Sequence, residues 1–225
     1  MKNKLIISFD VILVTLIVTI PMIMYLNYLL RGAVLSVVLY LIWLFYVLNK
    51  RDYKDIFFNG IAKNTSLFFL LTSFLFINFF HYFFSFTTSK AQNFITVFIL
   101  YLILTSLGIF YQESNKLRSI FFFLTIALGI QAAISIPYLL STDILVSRML
   151  ASGQLEDTEN IEAIKNGVGT NGLYISNVFI VALGLYYQRF YTKTLRIIFL
   201  SALVFIILSI LMSTFFTPIL LLLLV

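Results

Sequence analysis

The sequence predicts an all-α, polytopic transmembrane helical bundle, and three observations carry that expectation. Of 225 residues, 61% are hydrophobic and only 11% are charged, whereas a soluble domain is typically about 45–50% apolar and about 25% charged. The 15 cations and 9 carboxylates are spaced so that uncharged runs cover 11–30, 32–49, 64–89, 91–112, 119–142, 166–188 and 197–225. Each run is close to or above the roughly 20 apolar residues that a helix needs to cross a bilayer. Strand-like alternation is absent, and a helix satisfies its own backbone groups in lipid. The same composition excludes disorder, which needs low hydrophobicity and high charge. With no cysteine, disulfide frameworks and thiolate metal sites are excluded as well.

The chain opens Met-Lys-Asn-Lys and turns apolar at Leu5. A cleaved signal peptide has a shorter apolar core and a small-residue cleavage site, so the first run reads as a span entered from the cytoplasm. Spans are expected at 5–27, 32–48, 66–86, 93–111, 119–140, 172–187 and 197–212. Asp10 falls one to two turns inside the first span, where it snorkels to the cytoplasmic face or pairs with Lys4.

Alternating sides from a cytoplasmic N-terminus divides the cations unequally. The inner set holds Lys2, Lys4, Lys50, Arg51, Lys54, Lys63, Lys116, Arg118, Arg189, Lys193 and Arg196, and the outer set only Arg31, Lys90, Arg148 and Lys165. An excess on one side is the mark of cytoplasmic loops. Inserting or deleting one span would scramble the partition. On the inner side, 51–64 mixes charge with apolar residues and reads as an interfacial helix against anionic lipid.

The third span holds nine phenylalanines and the sole histidine, His81. Such aromatic density is chiefly packing or lipid-facing material. His81 is a candidate site residue because ionisable groups inside a membrane are functional by default, although a lone histidine makes no metal centre.

Residues 141–171 form the one long loop, facing outward, and long loops often carry function. It holds Asp143, Glu156, Asp157, Glu159 and Glu162 against Arg148 and Lys165. Within it 158–166 reads as a short helix, with acids in its first turn and Lys165 near its end before Gly167.

Past Met212 the chain reads Ser-Thr-Phe-Phe-Thr-Pro and then Ile219 to Val225. Pro218 suits the first turn of a new helix. The residues from Pro218 reach only about 12 Å at 1.5 Å per residue, which predicts an eighth span cut short, with one long tilted helix over 197–225 as the alternative. The whole chain, 1–225, is thus expected to be a single, incomplete transmembrane domain of seven spans plus a truncated eighth, with its N-terminus cytoplasmic.

Chemistry, on this reading, belongs to the outer face. Arg148 lies just beyond the fifth span and Arg31 opens the second on the same side. A guanidinium there can grip phosphate or carboxylate through two hydrogen bonds. The run Gly167-Val-Gly-Thr-Asn-Gly-Leu-Tyr174 leads into the sixth span, and glycine-rich backbone before a helix can turn N–H groups toward an anion or simply make the turn. Walker loops, dinucleotide fingerprints, zinc-protease helices, nucleophile elbows and internal repeats are all missing from the sequence.

An arginine after an outward-going span, a loop closing in Gly-Val-Gly-Thr-Asn-Gly-Leu-Tyr and a later Ser-Thr-Phe-Phe-Thr-Pro-Ile-Leu-Leu together resemble bacterial oligosaccharide repeat-unit polymerases of the O-antigen polymerase and ligase group. The resemblance covers most of the chain in layout. It implies a multi-pass protein of the bacterial inner membrane that joins undecaprenyl-diphosphate-linked repeat units in cell-surface polysaccharide synthesis, as a glycosyltransferase without cofactor or metal. Partners would be lipid-linked oligosaccharide, membrane lipid and other polysaccharide-assembly proteins, with no nucleic acid. Arg148 best matches the outward arginines thought to hold the diphosphate, with Arg31, Gly169, Asn171 and Tyr174 beside it and His81 and Lys165 as further candidates. The resemblance assigns no general base. Members of that group are longer, with further spans and a further outer loop. Rival readings are a transporter or flippase-like subunit and a noncatalytic truncated membrane protein.

Overall fold

A computed structural model of the chain describes residues 5–23, 32–49, 59, 69, 73, 107, 115–141, 168, 171–213 and 216–225. The expectations for 66–86 and 93–111, for the interfacial helix 51–64 and for the outer loop with its helix 158–166 fall almost wholly outside these residues. The described residues form helices and no strand.

Helix α1, Phe9–Met22, follows Ser8 in extended backbone. The Ser8 hydroxyl donates to Asp10 Oδ1 at 2.6 Å instead of capping the helix. Helix α2, Gly32–Leu48, returns antiparallel to α1. The Phe9 ring at the start of α1 meets Tyr46 near the end of α2, with centroids 5.4 Å apart, and the Ser36 hydroxyl near the start of α2 donates to the Ile17 carbonyl at 3.0 Å. Val11, Val14 and Ile17 are buried with Trp43 and Val47, and Leu107 and Ile120 join them.

Helix α3, Asn115–Ser141, is the hub, packing on α1, on the helix before the chain's last turn and on the one preceding that. Its 27 residues span about 40 Å at 1.5 Å each. It begins four residues ahead of the expected 119, because charges break a hydropathy run without breaking a helix. Lys116 and Arg118 lie in its opening turns. Thr125 back-bonds to the Phe121 carbonyl at 2.8 Å and Ser135 to that of Ala132 at 2.9 Å, so these buried hydroxyls cost little.

Helix α4, Asn171–Tyr187, and helix α5, Lys193–Met212, form a hairpin through a 3₁₀ turn, Gln188–Phe190. Helix α5 runs parallel to α3. The two are tied at their starts by the Tyr191 hydroxyl, which donates to the Arg118 carbonyl at 2.9 Å. Phe122 stacks on Phe199 with centroids 5.8 Å apart. Further along, the helices close until a Cβ on Gly129 would lie 2.6 Å from Ala202 Cβ. Small residues permit such backbone approach where lipid supplies no hydrophobic drive between helices. Phe121, Leu128, Tyr174, Val178, Leu203 and Ile206 fill the rest of this core.

Helix α6, Phe216–Leu222, is separate from α5, which ends at Met212 with Ser213 as its cap. The single helix over 197–225 is therefore not what forms, and Pro218 sits in the first turn of the new helix as expected. Helix α6 packs on α4.

Two helical stretches, Lys116–Leu140 and Lys193–Met212, are long and apolar enough to cross a membrane. Helices α1 and α2 contribute shorter apolar stretches, Phe9–Ile20 and Val34–Leu48. Outward faces carry exposed Phe45, Phe179, Ile130 and Ile197, while Ser36, Ser119, Thr125, Ser135 and Ser209 are buried.

These contacts bring the starts of α1, α3 and α5 and the ends of α2 and α4 to one end of the bundle. Every charged residue among those described, Asp10, Lys116, Arg118, Arg189, Lys193 and Arg196, lies at that end. The opposite end is uncharged among the described residues.

Candidate functional site

Of the residues singled out from the sequence, Arg31, His81, Arg148, Lys165 and Gly169 lie outside the described residues. Asn171 is the first residue of α4. Tyr174 follows one turn later. Its ring is 2% exposed and packs in the core with Val178 and Leu203, so its first task is to anchor the start of α4. One further turn on, Asn177 is 3% exposed, and its Oδ1 has no hydrogen-bond partner among the described residues. An unsatisfied buried amide oxygen costs about 1–3 kcal/mol, and such groups cluster where function holds them. The sequence carried no signal for Asn177, since one amide in an apolar run looks like tolerated packing.

The charged end is built in more detail. Asp10, in the first turn of α1, is buried, and its carboxylate meets Lys116 Nζ at 2.6 Å across to α3. The backbone N–H of Ile6 donates to the Ser119 hydroxyl at 2.8 Å, fastening the segment ahead of α1 to the same turn of α3. The expected partner Lys4 lies outside the described residues; among those described, Lys116 is a cation that meets Asp10. Sequence spacing could not find it, because the two are 106 residues apart.

Beside this pair two further cations, Arg118 and Arg189, lie against aromatic rings. The Arg118 guanidinium stacks over Phe190 at 4.1 Å. Arg189 lies over Tyr186 at 4.0 Å and over Phe190 at 4.9 Å. Arg196 Nε donates to Gln188 Oε1 at 3.2 Å. Cations over ring faces gain about 0.5–1 kcal/mol each at exposed sites, and the rings hold the side chains in place. Tyr191, at the junction, is buried; loss of water pushes its phenol well above the usual range, the neighbouring Tyr187 adds to the shift, and Arg118 opposes it. The phenol therefore stays a hydrogen-bond donor to the Arg118 carbonyl. Among the described residues no group of histidines and carboxylates is placed to hold a metal ion.

The structure thus brings together the basic residues of three separate segments at one end, and places the start of α4, where the glycine-rich run leads in, at the other. Comparison with protein-family models, with characterised proteins and with solved structures finds no match for this chain.

Proposed function

We propose that the chain is a multi-pass protein of the bacterial cytoplasmic membrane, with seven spans followed by the short helix α6. Its basic end lies in the cytoplasm, and it acts on lipid-linked oligosaccharide at the outer face as a polymerase-like glycosyltransferase of cell-surface polysaccharide synthesis. The observation that carries the membrane reading is the segregation of charge. All five described cations share one end with the sole described carboxylate, as the excess of Lys and Arg in cytoplasmic loops requires. Exposed apolar faces over buried hydroxyls support it, since such a surface is suited to lipid and not to water.

The relative direction of the helices supports the span count. Helix α2 runs back from the end of α1, and α3 starts beside the start of α1. An even number of further crossings is needed between α2 and α3, and the apolar stretches at 66–86 and 93–111 supply two.

On this reading 141–171 lies on the side opposite the cations, which the positions of Ser141 and Asn171 at the uncharged end support. Arg148 there would hold the lipid diphosphate and stabilise charge gathering on it as it departs, the role that preorganised cations serve in group transfer. Arg31, Gly169, Asn171 and Tyr174 would line the same region. The enzymatic half of this reading rests on the resemblance of the loop motifs. Deleting the gene in its own host and restoring it with wild type or Arg148→Ala tests it. The reading expects long surface glycan with wild type and short or single repeat units with the variant at equal protein level. Full-length glycan with the variant would overturn it. Accumulation of lipid-linked units on the cytoplasmic side after deletion would instead favour a flippase.

A further inference from the structure

We propose that the cations around the α4–α5 turn form a site for the phosphate headgroup of an anionic phospholipid in the cytoplasmic leaflet. The inference rests on the membrane reading above.

The electrostatics of this end are one-sided. Arg118, Arg189, Lys193 and Arg196 converge on it, and among the described residues none of the four makes an ion pair with a carboxylate. The one described carboxylate, Asp10, is engaged by Lys116. Counting the whole sequence, this side holds Asp10, Asp52, Asp55 and Glu113 against eleven cations, and the last three carboxylates lie outside the described residues. Helix direction adds to the imbalance. Helices α3 and α5 both begin here, each presenting the positive end of its dipole. Neither has an acid in its first turn, and the Thr192 side chain makes no cap hydrogen bond. Lys193 and Arg196 stand in the first turn of α5, where cations oppose the dipole, so an external anion relieves both.

The surroundings specify what carries that anion. Arg189, Lys193 and Arg196 are exposed, and the same helical faces continue into exposed apolar residues, Leu185 and Tyr186 on α4 and Ile197 and Ile198 on α5. A ligand matching this surface has an anionic head joined to apolar chains that lie along α4 and α5. Arg189 and Arg118, centred over the Tyr186 and Phe190 rings, keep guanidinium N–H groups that can donate to phosphate oxygens. A basic patch on the cytoplasmic side, between helices, is the setting in which lipid headgroups bind.

The test uses the full chain in nanodiscs of phosphatidylcholine alone or with phosphatidylglycerol, read by thermal unfolding and by native mass spectrometry of retained lipid. Wild type is expected to keep phosphatidylglycerol preferentially and to unfold several degrees higher in its presence. Each cation near an anionic surface is worth roughly fivefold in affinity, so Arg189→Gln, Lys193→Gln and Arg196→Gln together should lower retention at least about tenfold. The charge-preserving pair Arg189→Lys and Arg196→Lys should keep most of it, which separates loss of charge from loss of fold. Equal retention by the glutamine variant, or equal protection of wild type by inorganic phosphate in phosphatidylcholine discs, would overturn the site. Failure of wild type to enter phosphatidylcholine discs at all would instead contradict the membrane reading.

Discussion

Lys116 Nζ on α3 meets Asp10 Oδ2 on α1 at 2.6 Å, and the two partners differ in their access to water: the Asp10 side chain is 3% exposed and that of Lys116 24%. The pair therefore joins the first helix to the hub of the bundle, and its two halves are not equivalent. Removing Lys116 takes a cation from a buried carboxylate, whereas removing Asp10 leaves an ammonium that can swing outward on its flexible stem.

Lys116→Met is expected to destabilise the protein by about 3–5 kcal/mol, the usual effect of breaking a buried ion pair by removing one partner. Asp10→Asn should cost less, and the double variant should recover much of the loss. Denaturant unfolding in detergent micelles checks the order. Equal losses from the two single changes would show that Asp10 is not the desolvated partner.

The crossing of α3 and α5 makes a second, steric prediction. A Cβ on Gly129 would fall 2.6 Å from Ala202 Cβ and 2.8 Å from its Cα, backbone-anchored atoms that cannot turn aside. On Gly184 it would meet Leu203 Cδ2 at 2.7 Å, the far end of a side chain with other rotamers. Gly129→Ala should thus cost about 1–3 kcal/mol, as overpacking does, and Gly184→Ala clearly less. Thermal unfolding of both variants checks the order, and Ala202→Gly should relieve the first only in part, because the 2.8 Å approach to the Cα of residue 202 remains, and should leave the second unchanged.

Tyr191 gives a pH dependence. Its phenol is raised above the ordinary tyrosine value by burial first and by Tyr187 second, with Arg118 opposing. A group whose folded value lies above its unfolded one contributes stability that is complete below the unfolded value and declines as pH rises past it. The unfolded value is about 10. Wild type should therefore lose stability above about pH 10 more steeply than Tyr191→Phe. At neutral pH the variant should be weaker by about 0.5–1.5 kcal/mol, for the lost hydrogen bond to Arg118. Parallel stability–pH curves for the two proteins would contradict the assignment.

Among the described residues, helical character is legible in composition and charge spacing, because long apolar runs without strand-like alternation favour helices that satisfy their own backbone groups; α1 alone is shorter than expected, Phe9–Met22 against 5–27. Helices α2 and α4 lie within a residue of their expected bounds. The starts of α3 and α5 were set four residues late each, since cutting a run at Lys116 to Arg118 or at Lys193 to Arg196 mistakes a change of environment for a change of backbone. Pro218 marked α6 correctly, because proline in a first turn carries its own physical reason. What could not be read was pairing across the fold. No spacing rule links Asp10 to Lys116, Gly129 to Ala202 or Arg118 to Phe190, which meet only once the helices pack. The stretch 141–171 stands out in the sequence through its glycines and acids, yet motif residues such as Arg148 depend on tertiary neighbours that a linear reading cannot supply. Tyr174 illustrates the point: adjacent to the motif in sequence, it is drawn into the core by its ring.

The central claim is that the charged end is cytoplasmic and that 141–171 lies on the opposite face. Because the chain has no cysteine, single cysteines placed at Ser114 and at Ser152 report accessibility without background. With a membrane-impermeant maleimide on intact cells or sealed spheroplasts, Ser152→Cys should label at once and Ser114→Cys only after the membrane is permeabilised. Labelling of Ser114→Cys from outside, with Ser152→Cys protected, would contradict the account.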